Sequence, residues 1–241
     1  MIHKTALSIV FITVASAAIA QTAEPATRTK RPDIPGTFVV EFGFNRDYTG
    51  PSNFSLDFWG SRTVNVYYQY DLRIAKSRFS LVPGLGLSME RLKFKKGRMF
   101  RYNTSGDLEL VTPAISLLDI RKSQLVMNYM ELPVEFRYTS KPDDPARAFK
   151  AGIGGRIGYM YDSFTKLRYK QDGKTIHIKD KRDWNLNNLR YGVFAKVGFG
   201  NFSLFGYYNM TNLFEDGKGP YLPNETEDFP TFTAGISLSS F

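Results

Sequence analysis

The 241-residue chain has no cysteine and only two histidines. The lack of cysteine excludes a disulfide scaffold and a thiolate metal site, and it removes the residue on which a bacterial lipoprotein carries its lipid anchor. His3 falls in the leading segment, so His177 is the one imidazole left for acid–base chemistry downstream. A single histidine with scattered carboxylates has no recognisable ligand spacing, and no metal or cofactor is expected. Long apolar runs are also missing after the first residues. With a mean hydropathy of -0.29, the chain is not a helical membrane protein.

The leading segment is a targeting signal by pattern. Met1–Lys4 is short and basic, Ala6–Ala15 is apolar, and Ala18-Ile19-Ala20 is a small-residue cleavage site. Residues 1–20 are therefore expected to be a secretory signal peptide cleaved after Ala20. Residues 21–36, with Pro25, Pro32 and Pro35, are expected to form a flexible leader. Export makes nucleic acid an unsuitable partner despite the formal charge of +9.

What the chain does have is aromatic residues, 20 Phe and 14 Tyr, set in strict alternation. In Tyr129–Tyr138, YMELPVEFRY, the residues Met130, Leu132, Val134, Phe136 and Tyr138 share one face, and Glu131, Pro133, Glu135 and Arg137 share the other. Period-two alternation is strand geometry. A face so apolar beside one so charged suits a strand between lipid and a wet lumen. The same pattern recurs in Thr37–Asn45, Ser61–Leu72, Arg78–Arg91, Phe149–Tyr161 and Arg190–Phe199. Phe202–Thr211 and Thr231–Phe241 complete a set of eight, with the faces of Phe202–Thr211 unassigned because Phe205, Tyr207 and Tyr208 populate both.

Connections between these strands alternate long and short. The expected fold is thus all-β, an eight-stranded antiparallel up-and-down transmembrane β-barrel over residues 37–241, with short periplasmic turns and long exterior loops. A soluble barrel of the lipocalin kind has the same alternation with its faces inverted. Export, long strands, alternating loop lengths and tyrosines at strand ends favour lipid outside. Gly84, Gly86, Gly152, Gly154, Gly158, Gly192 and Gly198 share the polar face, where a narrow interior needs small residues. Pro83 and Pro133 lie in mid-strand and cannot donate to a ladder, which predicts a bulge or broken pairing where their strands meet.

YMELPVEFRY, preceded by VPGLGLSMERL (Val82–Leu92) and followed by AGIGGRIGYMY (Ala151–Tyr161), resembles the PorT-like family of small outer-membrane barrels of Bacteroidetes-type bacteria. The resemblance spans roughly the whole mature chain and implies an outer-membrane location. It specifies architecture well and activity poorly, since one member assists protein secretion and most have no assigned role. Phe241 is similar to the terminal assembly signal of such barrels, which implies contact with the barrel-assembly machinery during insertion. The chain departs from that pattern because Phe232, Ala234, Ile236 and Leu238 have the opposite parity to Phe241, so the last strand bulges or ends before it.

Two sets of residues are candidates for function. The inner face carries Glu41, Glu90, Glu131, Glu135, Arg137, Arg156, Arg190 and Lys196. These form either a polar channel or ligand site, or a plug of mutually paired charges. The plug is favoured, because side chains fill a small barrel and buried charges need partners. The long connections carry Lys93, Lys95, Lys96, Arg98 and Arg101, then Lys166, Arg168, Lys170, Lys174, Lys179, Lys181 and Arg182. Within the second, Asp172-Gly173 between Leu167-Arg168-Tyr169 and Thr175-Ile176-His177-Ile178 signals a hairpin whose strands are expected to extend beyond the membrane. Such basic loops are either solvated surface or contacts for outer-membrane lipid and the phosphates of lipopolysaccharide. Phe94, Met99, Phe100 and Tyr102 interleave with the first cluster, which also suits a protein partner. His177 has no obvious Asp or Ser partner nearby in sequence, so no enzyme is expected. A structural or interaction role follows, with a narrow pore or small-ligand transporter as the alternative and a secretion accessory or outer-membrane enzyme after it. The barrel is expected to be monomeric.

Overall fold

The computed structural model describes residues 36–47, 54–111, 119–171, 173–220 and 231–240. The signal segment, nearly all of the leader and Phe241 lie outside the described residues. Twelve strands follow one another as β1 (Thr37–Asp47), β2 (Arg62–Gln69), β3 (Leu72–Arg73), β4 (Phe79–Lys93), β5 (Met99–Tyr102), β6 (Leu108–Val111), β7 (Asp119–Thr139), β8 (Phe149–Gln171), β9 (Lys174–Asp180), β10 (Leu189–Phe199), β11 (Phe202–Asn209) and β12 (Thr231–Ser239). Eight close a ring in the order β1-β2-β4-β7-β8-β10-β11-β12, and β12 returns to β1; every pairing is antiparallel. The ring has no exposed edge, the usual hazard of an open sheet.

The faces are those of a membrane barrel. In β7, Met130 and Leu132 are 53% and 57% exposed, whereas Glu131 and Glu135 between and beyond them are 0% and 2% exposed. A soluble barrel would reverse this, since burying charge while exposing Leu is stable only where lipid is the outer solvent. The outward apolar run on β4, from Phe79 to Met89, rises about 25 Å for a strand tilt of ~40°. Aromatic rings mark both rims of this belt. Phe79 stacks on Phe136 at 5.4 Å near the short turns, and Tyr159, Tyr161, Tyr191 and Tyr208 are exposed toward the long connections. This is the girdle expected where amphipathic rings meet headgroups.

Pairing between β4 and β7 stops at Gly84 and Leu85, opposite Pro133 and Leu132, and resumes at Gly86–Glu131 in the same register. The ladder is broken there without a bulge. The bulges of β7 against β8 lie elsewhere, between Ile120 and Lys122 and between Asn128 and Tyr129. β11 turns Phe205, Tyr207 and Asn209 inward and Phe202, Leu204 and Tyr208 outward. Its aromatics were unreadable by parity because the lumen itself accepts rings. Phe205 fits inside because Gly43 on β1 lacks a side chain; a Cβ there would lie 3.1 Å from the Phe205 ring. β12 ends at Ser239 with Phe232, Ile236 and Leu238 outward.

The hairpin expected at residues 172–173 forms, and several cations assigned to the long connections stand on strands. Lys93 closes β4, Lys166, Arg168 and Lys170 belong to β8, and Lys174 and Lys179 belong to β9. The reason is the hairpin at Gly173, whose φ of +75° makes the tight reversal. It lets β8 and β9 keep pairing from Thr165–Asp180 to Gln171–Lys174. β7 and β8, at 21 and 23 residues, therefore run well past the apolar belt. Met99–Tyr102 and Leu108–Val111, also within an expected loop, pair as a separate small sheet. The folded barrel should migrate differently on a denaturing gel with and without boiling; identical migration would contradict a stably closed ring.

Candidate functional site

Strand tilt brings residues distant in sequence to the same height in the lumen. The eight inner-face charges meet there as one network. Glu41 from β1 lies 2.6 Å from Lys196 and 3.4 Å from Arg156. Glu131 from β7 lies 2.6 Å from Arg190 and 3.8 Å from Arg156, and Arg190 continues to Glu90 at 2.6 Å. Toward the short turns, Arg137 grips Glu135 through two bonds of 2.7 and 3.0 Å and reaches Asp71 at 3.4 Å. Lys196 links the two layers by lying 3.7 Å from Glu135. The four carboxylates and four cations among these residues cancel in formal charge.

Neutral groups complete the network. Tyr67 donates its hydroxyl hydrogen to Glu131 and accepts from Arg156 at 2.8 Å. Asn65 donates to Glu41 at 2.8 Å, and Arg190 donates to Ser88 at 2.7 Å. The guanidinium of Arg190 lies 3.6 Å over the Tyr129 ring, and that of Arg156 lies 4.2 Å over Tyr207. Asn65, Tyr67 and Tyr129 carry the inward parity in the sequence, so their facing was readable and their partners were not. Glycines make room for the carboxylates: a Cβ at Gly158 would sit 3.0 Å from Glu131 and 3.2 Å from Arg190.

Above the charges, an apolar cluster seals the loop end. Phe54, Leu56, Phe94, Phe100, Leu108, Trp184, Leu186 and Phe214 from the connections pack on Leu92, Leu125, Met127 and Met160 of the wall. Phe94 meets Phe54 and Phe100 edge-on at 5.5 and 5.2 Å, and Tyr102 stacks on Trp184 at 5.7 Å. Phe94 and Phe100 are therefore core residues and not partner contacts. Each buried ring contributes about 2–3 kcal/mol of stability by leaving water, so the cap is the preferred state of these connections. At the opposite end the lumen opens into a vestibule of about 260 Å³ lined by Gln69, Glu135, Arg137, Lys150 and Ser237.

The exterior cations divide into two groups. Lys93 pairs with Asp57 at 3.3 Å, Arg101 with Glu109 at 3.5 Å, Lys181 with Asp162 at 2.7 Å and Arg182 with Asp180 at 3.1 Å. Lys95 and Arg98 lie about a 3-10 turn that directly follows β4, Lys95–Gly97, which includes Lys96. Lys166, Arg168 and Lys179 instead line a groove of about 260 Å³ with Lys122 and His177. No carboxylate pairs with those four cations among the described residues. His177 is exposed on β9 opposite Arg168. Among the described residues no group of His, Asp or Glu is arranged to hold a metal ion.

An apolar outer wall around a filled, charged interior defines a transmembrane β-barrel of the outer-membrane type. A family model, outer membrane protein beta-barrel domain, matches residues 20–215, and the chain belongs to this family. The family places the protein in the outer membrane. No curated protein matches the chain. A similar solved structure is that of Ail, the attachment invasion locus protein of Yersinia pestis, in complex with the heparin analogue sucrose octasulfate. It shares 12% identity with a TM-score of 0.32, covering 86% of this chain and 100% of that chain.

Replacing Arg190 by Met leaves Glu90 without its cation and Glu131 with Arg156 alone. It should lower unfolding stability by about 3–5 kcal/mol. Replacing Lys181 by Met, which removes an exposed pair, should change it by about 1 kcal/mol or less. Urea unfolding followed by gel migration measures both; equal effects would contradict a buried network.

Proposed function

We propose that the protein is a structural or interaction barrel of the outer membrane, which presents basic exterior surface to lipopolysaccharide or to a protein partner. One observation carries this reading: the lumen is crossed by the paired network from Glu41 to Glu90 and sealed by the Phe54–Phe94–Phe100 cluster. A transporter needs an open or mobile path, and both layers oppose one. The loop end offers charge without catalytic apparatus, because His177 stands among cations and has no carboxylate beside it in its groove. A general base needs such an orienting partner within hydrogen-bond reach. The reading is therefore non-enzymatic.

In the same proposal the signal is cleaved after Ala20, residues 21–36 form a periplasmic leader, and residues 37–241 are a monomeric barrel. Phe241 addresses the chain to the assembly machinery, and the barrel stands in the PorT-like branch. Lys93, Lys95, Lys96, Arg98 and Arg101, with the cations of β8, β9 and residues 181–182, face the exterior. The vestibule at Gln69 and Arg137 favours a second, narrower reading, a small-ligand binder at the periplasmic mouth. Planar-bilayer recording separates the interaction barrel from a pore. Purified protein should insert without stable single-channel steps. Steps that disappear on changing Glu135 or Arg137 would overturn the plugged-barrel reading.

A further inference from the structure

The basic groove at the loop end lies on the outer wall and faces sideways. On β4 the outward residues run Leu85, Leu87, Met89 and then Arg91, so the wall changes from apolar to cationic within one step of alternation. On the neighbouring strands the change comes one row higher. Val126 and Phe164 pair in register with each other, and Arg91 pairs with Val126. One row above, Lys166 pairs with Lys179, and the next row aligns Lys122, Arg168 and His177 across β7, β8 and β9. The Lys166 row stands about 10 Å and the Arg168 row about 15 Å above the top of the apolar belt, at the headgroups and just beyond them.

Like charges set side by side on one sheet face repel, and a protein gains nothing in stability from them. The lysines are nevertheless held together: the ammonium groups of Lys166 and Lys179 lie 5.0 and 3.9 Å over the single ring of Phe164. Burial, with Arg91, Lys166 and Arg168 nearby, pushes the Lys122 ammonium below its usual pKa. A bound anion would relieve both effects. Elsewhere on the loop end, cations such as Lys181 and Arg182 already have carboxylate partners.

We propose that this groove is a binding site for the phosphorylated headgroup of an outer-leaflet glycolipid whose acyl chains lie along the barrel wall below it. The inference rests on the outer-membrane interaction reading and assigns one partner to one surface. Lipid, and not a soluble polyanion, is the occupant because exposed Met89, Tyr159 and Tyr161 stand on the same strands below the groove, past the Asn128–Asp162 pair. A phosphate held by Arg168 and Lys166 would thus carry its chains down over Leu132 and Ile157, which are exposed on the same wall. A soluble anion would have no use for that apolar continuation.

Native mass spectrometry of the full chain in detergent tests the site with three probes: bisphosphorylated lipid A, the same lipid dephosphorylated, and inorganic pyrophosphate. The expected result is one bisphosphorylated lipid per barrel, held more tightly than either other probe. Replacing Lys122, Lys166 and Arg168 together by Gln should weaken it by about 100-fold, at roughly fivefold per charge. Replacing Lys76, Lys141 and Arg147 at the turn end should leave it unchanged, with gel migration confirming that both variants are folded. Equal affinity for the dephosphorylated lipid, equal affinity for pyrophosphate, or equal loss in the two variants would overturn the inference. If lipid fails to bind while a protein partner is captured by the exterior surface, this site falls and the interaction reading stands.

Discussion

Everything in this barrel depends on the contact between Glu131 and its two arginines. Glu131 is fully buried on β7, with Arg190 on one side, Arg156 on the other and the Tyr67 hydroxyl donating to it. An unpaired carboxylate at that depth would cost several kcal/mol. Its partners must therefore arrive from β8 and β10 at the right height, which fixes strand tilt and register around the ring. The glycines follow from the same demand, since the carboxylates need the space that side chains at Gly152 and Gly158 would take. The interior is satisfied by its own charges together with Tyr67, Asn65 and Ser88, and lipid can then act as solvent for the outer wall.

The two ends of the molecule divide the remaining work. Short connections close the turn end and leave a polar vestibule, while the longer ones fold apolar residues inward as a lid over the charges. Phe54, Phe94, Phe100 and Trp184 are taken up by the lid, while Phe58 and Trp59 stay exposed beside the cations of the loop end. Lys93, Arg101, Lys181 and Arg182 are paired, whereas Lys122, Lys166, Arg168 and Lys179 have no carboxylate partner among the described residues. This asymmetry gives the protein a side as well as a top, and the side adjoins the hydrocarbon belt.

Much of the ring could be read from residue order. Glu131 and Glu135 alternating with Met130, Leu132 and Val134 gave strand, faces and solvent together, because one face of each strand is matched to lipid. The inward position of all eight charges had the same source. Their pairing did not, since Glu41 and Arg156 meet across the lumen and depend on tilt, which parity does not encode. The lid was missed for a different reason. Phe94 and Phe100 stand among Lys93, Lys95 and Arg98, and local composition resembles a wet loop until the fold supplies Phe54, Trp184 and Phe214 from far along the chain. The reach of β8 to Gln171 was legible, because Asp172-Gly173 between Leu167–Tyr169 and Thr175–Ile178 is a hairpin signal, and the structure pairs those strands.

The central claim is that the inner charges form an energetically coupled, buried network. A double-mutant cycle on Glu41 and Arg156, each changed to a neutral residue of similar size and followed by reversible urea unfolding in lipid, measures it most directly. The account predicts a coupling of about 2 kcal/mol or more, with the double variant recovering much of what each single change loses. Additive losses, with no coupling between the two positions, would contradict it.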